Sequence, residues 1–431
     1  MIYLTNNFPF PRILKAAVML VTVLAFIFAS AFKAGKKYVI TDFGATGDSV
    51  FLNTKAIQSA IDKCSTEGGG TVVVPAGIFI SGSVFLKQGV SLQVAEGGVL
   101  KGSLNPGDYP QIDTRWEGEE RKWTACLVNA IGLRGIKITG PGRIDGSGEL
   151  WNERARRVAP QPSSSAAPRY GRPRLIGFQN CTGIEISGLY INNQASWGVF
   201  VLYSRNVKIS KLKITAAHTI PSSDGIDIDS SQDVLITGCD IDVNDDCISI
   251  KAGKDEDGLR VNRPSEDILV EKCRFGYGHG GVAMGSETSG GIRNVLVRNC
   301  VAEAENWAPI RFKSQPSRGG VVENITYKDI TLKNTKKAFE FNMAWRMVNP
   351  KPPAKILPVV RNVKIINVSG TVATVGDMNG LPESPVLGVT FKKCTITASK
   401  GFVIGHARNV DLAGLKIVGV TGEPIIRNNI Q

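Results

Sequence analysis

From Ile184 onward the chain repeats one short phrase: a turn residue, an apolar-x-apolar pair, a small or polar break, then a second apolar pair. Asn206-Val207-Lys208-Ile209 with Leu212 and Ile214 is one copy, and Asp233-Val234-Leu235-Ile236 with Cys239 and Ile241 is the next. The anchors Ile184, Val207, Val234, Ile268, Val295 and Ile325 lie 23, 27, 34, 27 and 30 residues apart. A unit this short cannot bury its own apolar face and has to stack on its neighbours. Single-residue alternation turns one side of each strand inward and the other outward. The phrase therefore predicts a parallel β-helix with coils of about twenty-odd residues and loops of variable length. Asn and Asp at the coil corners suit left-handed turns and can stack into a polar ladder. Tight hairpin signals are scarce, which disfavours a sandwich.

The same alternation predicts strands at 71–74, 78–80, 91–94 and 136–138, so the coil begins well before Ile184. Asn53 is expected to cap a helix through Ala56, Ile57, Ala60 and Ile61, ended by Gly68-Gly69-Gly70 and plugging one end of the stack. The fold class is thus all-β, a parallel β-helix with a short N-terminal capping helix, filling 32–431 as a single domain. Two segments interrupt the repeat: 154–172, rich in Pro, Ser and Arg, and the charged stretch 252–264. The first reads as an exposed loop and the second as a charged insertion between coils; neither reads as a domain linker, because the repeat resumes after each.

Residues 1–31 carry Arg12 and Lys15, an apolar run over 16–28, and Ala29-Ser30-Ala31. This pattern reads as a secretory signal peptide cleaved after Ala31, placing the protein in the periplasm or the medium. An uncleaved anchor is the alternative, but the run is short for a membrane span and no stable insertion is expected. The formal charge is +13, so the mature chain carries 13 − 2 = +11. Such a balance either keeps the surface soluble or favours an acidic partner. Lys and Arg are dispersed without a tract, which argues against nucleic acid. Cys239, Cys273, Cys300 and Cys394 each fall five residues after an apolar anchor, the slot that Leu189, Leu212, Ile330 and Leu415 fill elsewhere. They read as core substitutes for aliphatic residues, though neighbouring coils leave a bridge among Cys239, Cys273 and Cys300 open. No residue set has metal-ligand spacing, so no metal and no cofactor is expected, and the protein is expected to be a monomer.

The functional signal emerges when the inward pairs Ile226/Ile228, Ile248/Ile250, Val282/Met284 and Ile310/Phe312 are aligned as rungs. Asp224 and Asp246 then become neighbours, as do Asp245 and His279, with Arg311, Lys251 and Lys313 on the rows beyond. Stacked coils lie about 4.8 Å apart, so residues distant in sequence form one cluster. Carboxylates held that close cannot all ionise freely; one can protonate a leaving oxygen while the others activate water. Arg311 and Lys313 suit a substrate carboxylate. Asp227 and Asp229 read as structural strand-end residues. Such a cluster suits hydrolysis of an acidic polysaccharide.

At these residues the chain resembles glycoside hydrolase family 28, the polygalacturonases. The family motifs Asn-Thr-Asp-Gly, Asp-Asp, Gly-His-Gly and Arg-Ile-Lys are matched by Ser222-Ser223-Asp224-Gly225, Asp245-Asp246, Gly278-His279-Gly280 and Arg311-Phe312-Lys313. The resemblance implies a right-handed parallel β-helix and metal-free hydrolysis with inversion. It implies Asp245 as general acid and Asp224 with Asp246 as base, beside His279. Arg311, Lys313, Ser222 and Lys251 are the candidate substrate contacts. Ser222 replaces the family's Asn, and Lys337 stands where many members have a Tyr. Pectin, as galacturonan or rhamnogalacturonan, is the implied substrate, and the two interrupting loops suggest attack from a chain end. A pectate lyase using calcium and a non-catalytic glycan-binding β-helix remain as alternatives.

Overall fold

A computed structural model describes residues 35–158, 171–303, 306–346 and 351–428. The expected signal peptide lies outside them, as does 159–170 of the first interrupting loop. The described chain is a right-handed parallel β-helix. Most coils contribute three strands, for example Val199–Leu202, Arg205–Ser210 and Lys213–Thr215, followed by Ile226–Asp229, Gln232–Thr237 and Asp240–Asp242. Each strand pairs in parallel with its counterpart one coil on.

The predicted rungs are the observed register. Ile226 pairs with Ile248, Ile248 with Val282, Val282 with Ile310, and Ile310 with Phe339. These residues are fully buried, and each contributes about 1.5–3 kcal/mol on leaving water. Phe312 stacks on Phe341 with centroids 4.4 Å apart. The cysteine row is as expected: all eight cysteines are buried and free, and Cys300 pairs directly with Ile330. At the corners Asn206, Asp233, Asp267, Asn294, Asn324 and Asn362 take φ between 55° and 57°, which an Asn or Asp side chain tolerates. Their amides form the ladder: Asn294 Nδ2 donates to Asp267 Oδ1 at 3.0 Å and Asn324 Nδ2 to Asn294 Oδ1 at 3.2 Å.

The helix Thr54–Thr66 buries Ala56, Ile57, Ala60, Ile61 and Cys64 against the first coils. Asn53 precedes it without capping it: its Oδ1 accepts from Thr46 N at 2.7 Å and its Nδ2 donates to Phe51 O at 2.8 Å, tying down the incoming chain. Both interrupting segments hold short helices, Gly148–Val158 and Asp255–Val261. The first contains few apolar residues. It is anchored by buried Trp151, whose Nε1 donates to Ser103 O at 3.2 Å. One antiparallel hairpin, Gln111–Trp116 with Glu119–Thr124, stands outside the coil; its turn at Glu117 and Gly118 needs φ of 45° and 83°.

Candidate active site

Asp224, Asp245 and Asp246 come together as the rungs demand, each offering an oxygen within 4.8 Å of the others. Asp246 is fully buried and Asp224 nearly so, whereas the Asp245 side chain keeps 25% of its exposure. His279 sits at the rim with its Nδ1 3.3 Å from Asp245 Oδ1. The glycine on each side of His279 has a steric reason. A Cβ on Gly280 would stand 2.8 Å from Asp246 Oδ1, and one on Gly278 would stand 2.9 Å from Asp245 O.

Arg311 and Lys313 do not wait for a ligand. Lys313 Nζ lies 2.5 Å from Asp246 Oδ2, and Arg311 Nη1 3.3 Å from Asp246 Oδ1. Arg311 Nε also donates to Glu340 Oε2 at 2.6 Å. The two cations thus brace Asp246 from below. A calcium ion gripped by the three aspartates would meet these cations beside Asp246, which disfavours lyase chemistry. Lys251 is likewise buried, 3.8 Å from Asp224 Oδ2, 3.4 Å from Asp227 Oδ1 and 3.5 Å from Glu287 Oε2, and 4.7 Å from the Trp197 ring. Its place is behind the trio. Ser222 is buried in a left-handed conformation at φ 57°, and its Oγ has no hydrogen-bond partner among the described residues.

Burial, followed by the charges of Asp227 and Asp245, pushes the Asp224 carboxyl well above the ordinary range. For Asp245 burial acts upward too, but the hydrogen bond from His279 and the charges of Lys313, His279 and Lys251 outweigh it and hold the carboxyl low. The same hydrogen bond raises the His279 imidazole. Burial also lifts Asp227 to about 7 against the pull of Lys251. The two carboxyls are thus pushed in opposite directions, Asp224 upward and Asp245 downward beside His279.

Glu340 and Glu287 were missed in the sequence. Glu340 was legible: Phe339-Glu340-Phe341 is the next rung after Ile310-Arg311-Phe312 and pairs with it directly. Glu287 follows an irregular turn and no periodicity points to it. The hairpin was missed too, and it brings Trp116 onto Trp197 at 5.1 Å and Arg115 Nη1 to 2.7 Å from Asp229 Oδ1.

The family model for glycosyl hydrolases family 28 matches residues 64–412, a span that contains every one of these side chains. The chain belongs to that family. It is 33% identical over 371 residues to a probable polygalacturonase of Vitis vinifera, covering 83% of this chain and 73% of the relative. An exo-poly-alpha-D-galacturonosidase of Dickeya chrysanthemi is 31% identical over 337 residues, 69% of this chain and 55% of the relative. Among solved structures, the hyperthermoactive exopolygalacturonase from Thermotoga maritima superposes with a TM-score of 0.78 at 31% identity, covering 91% and 92% of the two chains. This family 28 protein is a glycoside hydrolase. Lys313→Met in it is expected to lower kcat about tenfold or more, the equivalent of about 1.4 kcal/mol in the barrier, with KM changing less. Steady-state kinetics decide: a rise in KM alone would return Lys313 to the role of a substrate contact.

Proposed function

We propose that the protein hydrolyses galacturonic-acid-containing bonds of pectin, with inversion, by removing units from a chain end outside the cytoplasm. The observation that carries this reading is the aspartate trio beside His279, in a chain whose relatives are named for polygalacturonic acid. Of the three carboxylates Asp245 is the one a leaving oxygen can reach, which supports it as general acid. As general acid Asp245 has to carry a proton when substrate is bound, and Asp224 and Asp246 lie beside it with an oxygen of each within 4.8 Å. Asp245 then protonates the glycosidic oxygen as the bond breaks. Asp246, fixed by Lys313 and Arg311, takes a proton from the attacking water together with Asp224. Inverting pairs usually stand about 6.5–9.5 Å apart, and this trio is tighter. Inversion accordingly rests on family membership rather than on spacing.

Attack from a chain end is supported by the wall that the hairpin and the second interrupting segment build beside the coils of the trio. Lys254 N, in the second interrupting segment, donates to Gly118 O at 2.9 Å, so the hairpin tip and that segment join. Asp229 Oδ1 accepts from both Arg115 and Gly253 N. Two measurements test the proposal. Proton NMR of the first product from tri-galacturonic acid is expected to show the β-anomer, and an α-anomer would rule out inversion. Early digests of polygalacturonate are expected to give a single short unit, whereas a ladder of oligomers with a rapid fall in viscosity would rule out end attack. Cleavage of rhamnogalacturonan fragments but not of these substrates would replace the substrate assignment.

A further inference from the structure

Of the six tryptophans Trp307 alone is exposed, at 44%. It stands on the row of Asp245 and His279, one coil past the histidine: its N–H donates to Gly278 O at 2.7 Å and its carbonyl accepts from Lys337 N at 2.8 Å. With about 4.8 Å per coil, its ring lies roughly 10 Å along the axis from Asp245. On the other side of Asp245 the row residues Ser223 and Ser196 are fully buried, so the exposed part of the row runs from Asp245 to Trp307. The ring is also held in place. Its Nε1 donates to Glu340 Oε1 at 3.3 Å, the carboxylate that braces Arg311, and Lys337 Nζ lies 5.4 Å from the ring centroid. Leaving an indole in water forgoes about 25 cal/mol per Å² of apolar surface. A fixed, exposed aromatic face on the rim of a glycan-cleaving row is suited to the C–H face of a sugar.

We propose that Trp307 is a stacking platform for the second sugar unit on the leaving-group side of the scissile bond. This rests on the reading of the protein as a galacturonan hydrolase. The test compares Trp307→Ala with wild type on di- and tri-galacturonic acid, circular dichroism establishing that the variant folds. The dimer ends short of the platform and the trimer reaches it. The expected result is a fall of about tenfold in kcat/KM on the trimer, little change on the dimer, and recovery of most of the loss in Trp307→Tyr. Equal losses on both substrates, or no loss on either, would overturn the platform. Should wild type cleave neither substrate, the functional reading fails. The platform is then judged by affinity electrophoresis of wild type and Trp307→Ala in gels containing polygalacturonate or rhamnogalacturonan. Weaker retardation of the variant in either gel supports it, and equal retardation in both overturns it.

Discussion

Asp245→Asn lowers turnover by about 10²–10⁴-fold, the usual contribution of a positioned general acid, while the fold survives. The amide keeps the shape of the side chain and its contact with His279, but it has no proton to give to the leaving oxygen. The strand below is untouched, because the inward residues Ile248 and Ile250 hold it in register with Ile226 and Ile228. Asp246→Asn is expected to be as severe, since it leaves Lys313 and Arg311 buried without the carboxylate they face. The electrostatics sharpen the comparison with Asp224→Asn. Burial and the neighbouring carboxylates raise the Asp224 carboxyl, so its amide variant loses that titrating base. Its pH–rate profile should lose the limb set by the raised carboxyl. Near-normal turnover of a folded Asp245→Asn protein on its best substrate would remove the acid role from Asp245. A fully preserved pH profile in Asp224→Asn would show that Asp224 does not set that limb.

The coil and the trio were legible because the rung alignment needs only alternation. Once Ile226/Ile228 and Ile248/Ile250 are placed side by side, Asp224 has to meet Asp246 and Asp245 has to meet His279, and both meetings are found. The partner of each charge was not legible. Arg311 and Lys313 point away from the core like any outward residue on their strand. Alternation does not tell a side chain aimed at substrate from one aimed at Asp246, each of whose oxygens meets one of them. Lys251 was read as a substrate contact for the same reason, and its partner Glu287 lies in an irregular turn. The hairpin was hidden differently: its turn uses Glu117 before Gly118, a pair that carries none of the usual Asn-Gly or Asp-Gly signal. Asp229, read as structural, is structural, but its partner Arg115 lies 114 residues earlier, beyond the reach of any local pattern.

That pair carries the second large effect. Arg115 and Asp229 are 1% and 0% exposed and 2.7 Å apart, with the guanidinium 4.8 Å from the Tyr203 ring. Removing one member of a buried ion pair costs about 3–5 kcal/mol, because the survivor stays buried without its counter-charge. Arg115→Met is therefore expected to lower the denaturation midpoint by a corresponding amount. Asp229 keeps the N–H of Gly253 at 3.2 Å and Ser230 Oγ at 3.2 Å, which places the loss toward the lower end. The double variant Arg115→Met/Asp229→Asn removes both charges and should recover most of the loss, the result that separates an uncompensated charge from simple loss of packing. Function should follow the hairpin rather than the melt. Without Arg115 the wall loses an anchor beside the coils of the trio. A folded Arg115→Met protein, assayed well below its midpoint, should then release intermediate oligomers from polygalacturonate where wild type releases single short units. An unchanged midpoint would show that the pair contributes nothing net. A lowered midpoint with an unchanged product profile would show that the hairpin stabilises the fold without shaping the cleft.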